Sequence, residues 1–332
     1  MARHIDNADT RVIAATGAVA AAGAAAVAGT ASKVRARRRK RARRYRLEAG
    51  EPMPDGVRRI ALGQLDLVAD DIAAPDDGPD DEAVHEARKA FKRLRALLRV
   101  NRDQLGDDIR RRENAAFRDA GRRLSGARDA RVVVATFDDL TERNQDSLPP
   151  GAFAGLHAVL ATAAARPGLR IGSEDAAAVA AEVEEARGRV AAWPLEGVEA
   201  ATLAAGLARI QRRGRRAYRE AKADPSSEHL HELRKRTKDL WHAAQILRPA
   251  APKRMRKLAT RAHELSDLLG ENHDLALLRD AVDEHANVMA PGEQEQLRNM
   301  IDRRQAKLRR RALRCAGRIY GTKPRKLARL VS

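Results

Sequence analysis

The sequence predicts an all-α protein, and three observations carry that prediction. Of the 332 residues, 43% are hydrophobic, and Ala and Leu, both good helix formers, supply most of them. Only two Trp, three Tyr and four Phe occur, whereas strands are enriched in aromatic and β-branched residues. A basic motif also recurs with apolar residues at helical spacing on its opposite side. We therefore expect two pseudo-symmetric four-helix bundles that flank a basic groove.

The first element is a charge-free segment followed by a basic arm, together residues 1–44, which we expect to be helical or flexible. Residues Val12–Ser32 are long enough to cross a bilayer, but their Ala and Gly content makes them weakly apolar on insertion scales. An Ala-rich helix or tail is the favoured interpretation, and contact of 12–32 with a membrane or granule surface stays the alternative. The Lys33–Arg46 arm can bind phosphates, including those of nucleic acid, without reading sequence.

An internal duplication organises the remaining residues, 45–332. The sequences HEARKAFK and HELRKRTK share a His-x-x-Arg-Lys-x-x-Lys pattern, which begins at His85 and again at His231, 146 residues later. Neighbouring segments follow at similar shifts, so we infer repeat one at about 45–166 and repeat two at about 188–332. Each repeat is expected to contain about four helices.

Turn and cap residues predict where the helices begin and end. DDGPDD precedes the His85 helix, and Asp224 is expected to cap the His231 helix, with Pro225 at its first position. Pro249 and Pro252 are expected to end that helix. The closing GRIYGTKPRKLARLV predicts a last long helix, a break near Gly321–Pro324 and a short terminal turn.

Each motif helix is predicted to be cationic on one face and apolar on the other. At 100° per residue, the basic residues of the first helix fall within an arc of about 100°, opposite Phe91 and Leu94. Such a face is often only solvated, but its recurrence in both repeats favours an anionic ligand. The candidate anion-binding residues on these two helices are His85, Arg88, Lys89, Lys92, Arg99, His231, Arg234, Lys235, Lys238 and His242.

A third helix, in LARIQRRGRRAYREAK, extends the predicted basic surface. Its arginines share one face opposite Leu203 and Leu207, so we expect the groove to be more positive on the side of the second repeat. It adds four candidates: Arg209, Arg212, Arg213 and Arg216.

The doubled motif, the LLGENHDLALL segment and the GRIYGTKPRKLARL end together resemble the CHAD domain, the conserved histidine α-helical domain. The resemblance covers about residues 45–332 and implies two helical bundles around a basic groove that binds inorganic polyphosphate, often at polyphosphate granules. By position it implies that His85, Arg88, Lys89 and Lys92, with their counterparts in repeat two, contact the polymer. Asp239 departs from the family pattern, in which a further basic residue is common there. The Glu-x-Glu-x-Lys pattern of the triphosphate tunnel domains that often accompany the family is absent.

Charge alone already restricts the function classes. A formal net charge of +19 requires polyanionic partners. Binding of polyphosphate without catalysis is the favoured function, and non-specific nucleic-acid binding or an accessory role beside a polyphosphate-metabolising enzyme are the alternatives. Few aromatic residues are available for base stacking. If the motif histidines contact the polymer, affinity should rise as the pH falls from about 7.5 to 6.

We expect no catalytic residues, no metal and no cofactor. The sequence lacks a Walker loop, a Gly-x-Ser-x-Gly elbow and His-Glu-x-x-His. The His-Asp pair of ENHD, His273 and Asp274, suits a metal, but such pairs in helices are more often structural. Cys315 is the only cysteine, so the chain cannot form an intrachain disulfide, which fits a reducing cytoplasm.

Overall fold

A computed structural model describes residues 45–73, 79–124, 128–165 and 172–331, and the part of the chain that it describes is all-α, as predicted. No strand occurs in these ranges, and none of their helices is long and apolar enough to cross a membrane. The Val12–Ser32 segment and the arm up to residue 44 lie outside the described residues.

The helices are long and closely spaced along the chain, with short 3₁₀ turns at Gln145–Ser147 and Ala286–Val288. The helices before residue 192 are α1 (Met53–Ile72), α2 (Asp81–Val100), α3 (Arg102–Arg123), α4 (Arg128–Glu142), α5 (Ala154–Ala165) and α6 (Ser173–Ala191). The later helices are α7 (Ala200–Ala223), α8 (Ser227–Ile246), α9 (Pro252–Glu284), α10 (Glu293–Tyr320) and α11 (Pro324–Ala328).

Helices α1, α2, α3 and α6 contact one another in a ring and form the first bundle. The apolar face predicted for α2 is buried, and Phe91 stacks on Phe117 of α3 with ring centroids 6.1 Å apart. Helix α6 lies between the two predicted repeats in sequence, yet it packs on α1 and α3. Repeat one as predicted, about 45–166, therefore does not contain all the helices of this bundle.

Helices α7, α8, α9 and α10 form a second ring, against which α11 packs through α7. The hairpin of α4 and α5 joins neither ring, because α4 packs across α9. The predicted break before the last short helix is confirmed, since α10 ends at Tyr320 and α11 begins at Pro324. The internal two-fold relation between the bundles stays a prediction.

The bundles meet where α2 contacts α7 and α8 and where α3 contacts α7. Gly206 of α7 allows the closest approach, since a Cβ atom there would lie 2.0 Å from the carbonyl oxygen of Val100, the last residue of α2. No side chain fits at such a distance. The two motif helices are thereby held next to each other, α2 on α8.

The predicted cap of the second motif helix is wrong. The α8 N-cap is Ser226, whose side chain accepts a hydrogen bond from the His229 amide, and the helix begins at Ser227. Asp224 instead pairs with the His229 ring, with 3.1 Å between Asp224 Oδ2 and His229 Nδ1. Ser and Asp are equally good N-cap residues. The chain stays extended for two residues after Asp224, so Ser226 and not Asp224 stands at the start of the helix. Pro252 is the first residue of α9.

Candidate functional site

Both motif helices line one open cavity of about 610 Å³, which α4 and α9 border on its other sides. Six of the predicted residues line it, three from each motif helix: His85, Lys89, Lys92, Arg234, Lys238 and His242. Arg93 of α2 also lines the cavity, although sequence reasoning did not select it. Five permanently charged cations from two helices therefore surround one space.

Arg234 is the cation whose environment most strongly suggests an anionic ligand. Its guanidinium is half-buried, and within the described residues its Nε atom has no hydrogen-bond partner. It lies against Gly270 of α9, where a Cβ atom would be 3.3 Å from Arg234 Nη2. A partly buried charge without a counter-ion is costly, so an anion in the cavity would stabilise it. The glycine of the LLGENHD segment leaves the space that this guanidinium occupies.

A glutamate follows the histidine in both copies of the motif and pairs with the same lysine in each. Lys89 Nζ lies 2.5 Å from Glu86, and Lys235 Nζ lies 2.5 Å from Glu232. The repeated pattern is therefore His-Glu-x-Arg-Lys-x-x-Lys. The shared Glu was visible in both quoted sequences, and its i,i+3 spacing from the Lys was the signal that we missed.

The α9 and α4 sides of the cavity carry acids that sequence reasoning also missed. They are Asp139, Asp267, Glu271 and Asp274. Two of them pair with arginines, Glu271 with Arg304 and Asp139 with Arg143 at 2.6 Å, and Asp267 Oδ2 lies 2.9 Å from His263 Nδ1. The cavity therefore has a cationic side, formed by α2 and α8, and an acidic side of which two carboxylates are paired with arginines.

An aromatic and histidine cluster forms part of the wall. The ring centroids of Trp241 and His263 lie 4.8 Å apart, and His242 is buried beside them. Burial, followed by the positive charges of Arg93, Arg99, Lys238 and Lys92, lowers the pKa of His242 well below its ordinary value. His242 is therefore neutral near pH 7, and it shapes the wall rather than adding a charge.

Other motif residues lie away from this cavity. His231 and Lys235 line a separate space of about 500 Å³, and the His231 ring centroid lies 5.3 Å from that of His273. Desolvation, then His273 and the cations Lys235 and Arg234, lowers the pKa of His231. Arg88 is half-buried on α2 and is not among the residues that line either space.

The remaining predicted arginines do not line the cavity either. Arg99 bridges the motif helices, with 3.4 Å between its Nη1 atom and Asp239 Oδ1 on α8, so the acid that departs from the family pattern holds a structural ion pair. Arg209 pairs with Asp103 of α3, which joins the two bundles. Arg212, Arg213 and Arg216 are exposed, and Arg216 pairs with Glu220 at 2.8 Å. The greater positive charge expected on the side of the second repeat is therefore spread over the outer surface of α7.

The ENHD pair does not form part of a metal site in this structure. His273 lies by His231, whereas Asp274 lines the main cavity. Across the residues that the structure describes, no three His, Cys, Asp or Glu side chains are arranged to hold a metal ion.

Comparison with known proteins identifies one family. The model of the CHAD domain matches residues 59–283, which include α2, α8 and almost all of α9. No curated protein matches the chain in sequence.

Proposed function

Because the chain belongs to the CHAD domain family, we propose that the cavity between α2 and α8 binds inorganic polyphosphate without catalysis. One observation carries the proposal. Two helices whose motifs lie 146 residues apart in sequence bring Lys92, Lys238 and the uncompensated Arg234 to one cavity. Such convergence of like charges is unfavourable, and a polyanion in the space would relieve it.

The chemistry of the lining suits a linear phosphate polymer. Arg234 offers a planar fork of donors to phosphate oxygens, and the lysines offer mobile point charges. A polyphosphate chain carries about one negative charge per phosphate, so binding needs no base-specific contact. The acidic side of the cavity would direct the polymer towards α2 and α8, because like charges repel it from α9.

Non-specific nucleic-acid binding is the rival function, and the Lys33–Arg46 arm is its strongest support. In the cavity, Trp241 is the one tryptophan available to stack a base, and its ring already contacts that of His263, tilted by 38°. We therefore assign nucleic-acid affinity to the arm and polyphosphate affinity to the cavity. Association with polyphosphate granules in the cytoplasm, or an accessory role beside a polyphosphate-metabolising enzyme, would follow from the same binding.

The test is a titration of the full chain with long-chain polyphosphate at about 150 mM salt. The cavity variant carries Lys92→Ala, Arg234→Ala and Lys238→Ala. The control variant carries Arg111→Ala, Arg118→Ala and Arg122→Ala, which removes the same charge from exposed positions on α3. We expect the cavity variant to bind at least about a hundredfold more weakly, since each charge-assisted hydrogen bond contributes about 1.5–3 kcal/mol. Equal affinity of the two variants would contradict the proposal.

The contribution of the arm to binding is tested with a form of the protein that lacks residues 1–44. We expect this form to lose most of its affinity for duplex DNA and to keep its affinity for polyphosphate. If polyphosphate affinity is lost together with DNA affinity, the arm is the polyanion site and the cavity is not.

A further inference from the structure

Helix α10 carries a second cationic surface, away from the cavity. Six of its basic side chains are exposed to solvent and lie within an arc of about 100° around the helix. From the first to the last they extend about 22 Å along the axis. We refer to them as the α10 stripe: Arg303, Lys307, Arg310, Arg311, Arg314 and Arg318. None of them lines the cavity between α2 and α8.

The stripe differs from the side of α10 that faces α9, where the basic side chains have acidic or amide partners. Arg298 pairs with Asp283 at 2.6 Å, Arg304 pairs with Glu271, and Arg309 donates to Asn272 and Gln305. Within the described residues, no acid lies within 4.0 Å of a nitrogen of any stripe residue. Like charges at i,i+4 destabilise a helix. The stripe is therefore a surface whose repulsion an external polyanion would relieve.

A shallow space at the C-terminal end of the stripe adds shape to the charge. Arg311, Arg314 and Arg318 line a cavity of about 180 Å³ with Leu268 and the single acid Glu264. Three guanidinium groups around one recess can surround a phosphate group from several directions. This end of α10 therefore combines positive charge with a recess.

We propose that the α10 stripe is a second binding site for the same linear polyphosphate. The inference rests on the proposed function, because a polymer already held in the cavity gives a second site a high effective concentration. Every stripe residue lies beyond the residues that the CHAD domain model matches. The stripe would then make affinity depend on polymer length, since a short chain can occupy only one site at a time.

The surface of α10 favours polyphosphate over nucleic acid. The only aromatic residue of this helix, Tyr320, is buried, so no ring is available for base stacking. Polyphosphate binding requires only hydrogen-bond donors and positive charge, both of which the stripe supplies.

The experiment compares two variants of the full chain. The stripe variant carries Arg303→Gln, Arg310→Gln, Arg314→Gln and Arg318→Gln. The control carries Arg111→Gln, Arg118→Gln, Arg122→Gln and Arg123→Gln, four exposed arginines that have acidic partners, so both variants lose four charges. Each is titrated with long-chain polyphosphate, tripolyphosphate and duplex DNA.

We expect the stripe variant to bind long-chain polyphosphate about tenfold or more weakly than the control, and to bind tripolyphosphate equally well. Equal binding of the long chain by both variants would overturn the inference. Loss of DNA binding with polyphosphate binding intact would overturn it in favour of nucleic acid. The double variant Lys307→Gln and Arg314→Gln provides the same comparison if the fourfold variant does not fold.

Failure of the proposed function can be distinguished from failure of this second-site inference. The cavity variant, titrated in addition with tripolyphosphate, tests the cavity, whereas the stripe variant tests the dependence of affinity on chain length. A cavity variant that keeps tripolyphosphate affinity overturns the cavity assignment, whatever the stripe variant does.

Discussion

The two copies of the basic motif present different residues to the same cavity. Lys92 and Lys238, which occupy equivalent positions, both line it. His85 and Lys89 line it from the first copy, but their counterparts His231 and Lys235 line another space. On a helical projection, the arc of residues that lines the cavity in the second copy is rotated by about 60° from the corresponding arc in the first copy. A repeated sequence has therefore not produced a repeated site.

The asymmetry arises from the helices that close the cavity. Helix α4 leaves the first bundle and packs across α9, so the cavity is bounded by one helix from before the second repeat and one from within it. If the cavity lay on a two-fold axis of the motif helices, it would be lined by equivalent residues. The comparison teaches that α4 and α9, and not the motif alone, select which cations face the cavity.

The largest effect expected from this asymmetry concerns the arginines. Arg234→Ala should weaken polyphosphate binding by about ten- to a hundredfold, because Arg234 lines the cavity without a counter-ion. Arg88→Ala, at the equivalent position, should have a clearly smaller effect. Titration of both variants with polyphosphate measures the difference, and equal losses would show that the two copies contribute symmetrically.

The lysines give the best matched comparison. Lys89 and Lys235 each pair with a glutamate at 2.5 Å, but only Lys89 lines the cavity. Lys89→Ala should therefore lower polyphosphate affinity several-fold, whereas Lys235→Ala should leave it nearly unchanged. Because the lost charge and the lost ion pair are the same, a larger effect of Lys235→Ala would contradict the assignment of the cavity.

A smaller effect is expected from substitution of Gly270, which lies against Arg234 of the second motif copy. Gly270→Ala would place a methyl group 3.3 Å from Arg234 Nη2 and displace the guanidinium by a few tenths of an ångström. We expect a few-fold loss of polyphosphate affinity. The measurement is a double-mutant cycle, in which Gly270→Ala should cost little more once Arg234→Ala is present. Additive losses would mean that Gly270 acts on something other than Arg234.

The smallest effect concerns pH and His242. Its pKa is lowered in the folded protein by burial and then by neighbouring cations, so below about pH 6.5 the unfolded chain binds a proton that the folded chain does not. This contribution to the free energy of unfolding is therefore intact above about pH 6.5 and declines as the pH falls below it. Urea unfolding at several pH values should show a shallower decline in His242→Gln than in the unchanged chain.

The lowered pKa values of the histidines change the dependence of polyphosphate affinity on pH that the motif predicts. The pKa of His242 lies well below its ordinary value and that of His231 is also lowered, so protonation of both rings is disfavoured unless bound polyphosphate restores it. A flat affinity over this range in the unchanged chain would mean that neither histidine contributes a charge to polyphosphate binding. A rise that His242→Gln removes would assign His242 to the ligand.

Sequence by itself determined the all-α class, the break after Tyr320 and the buried faces of the motif helices, exemplified by Phe91 and Leu233. These features are local, because helical periodicity sorts apolar from charged residues within a few turns. The Glu86 and Glu232 pairs were equally local, and the letters alone could have revealed them.

Only the tertiary structure decided which charges meet. Nothing in the α2 sequence indicates that α4 packs across α9, that the acids of α9 face the cations of α8, or that Arg99 pairs with Asp239 instead of facing the cavity. Periodicity shows which face of a helix is apolar, but the neighbour that covers it depends on contacts between distant segments. The cavity is formed by four helices from across the chain, and therefore its lining follows from packing rather than from the motif.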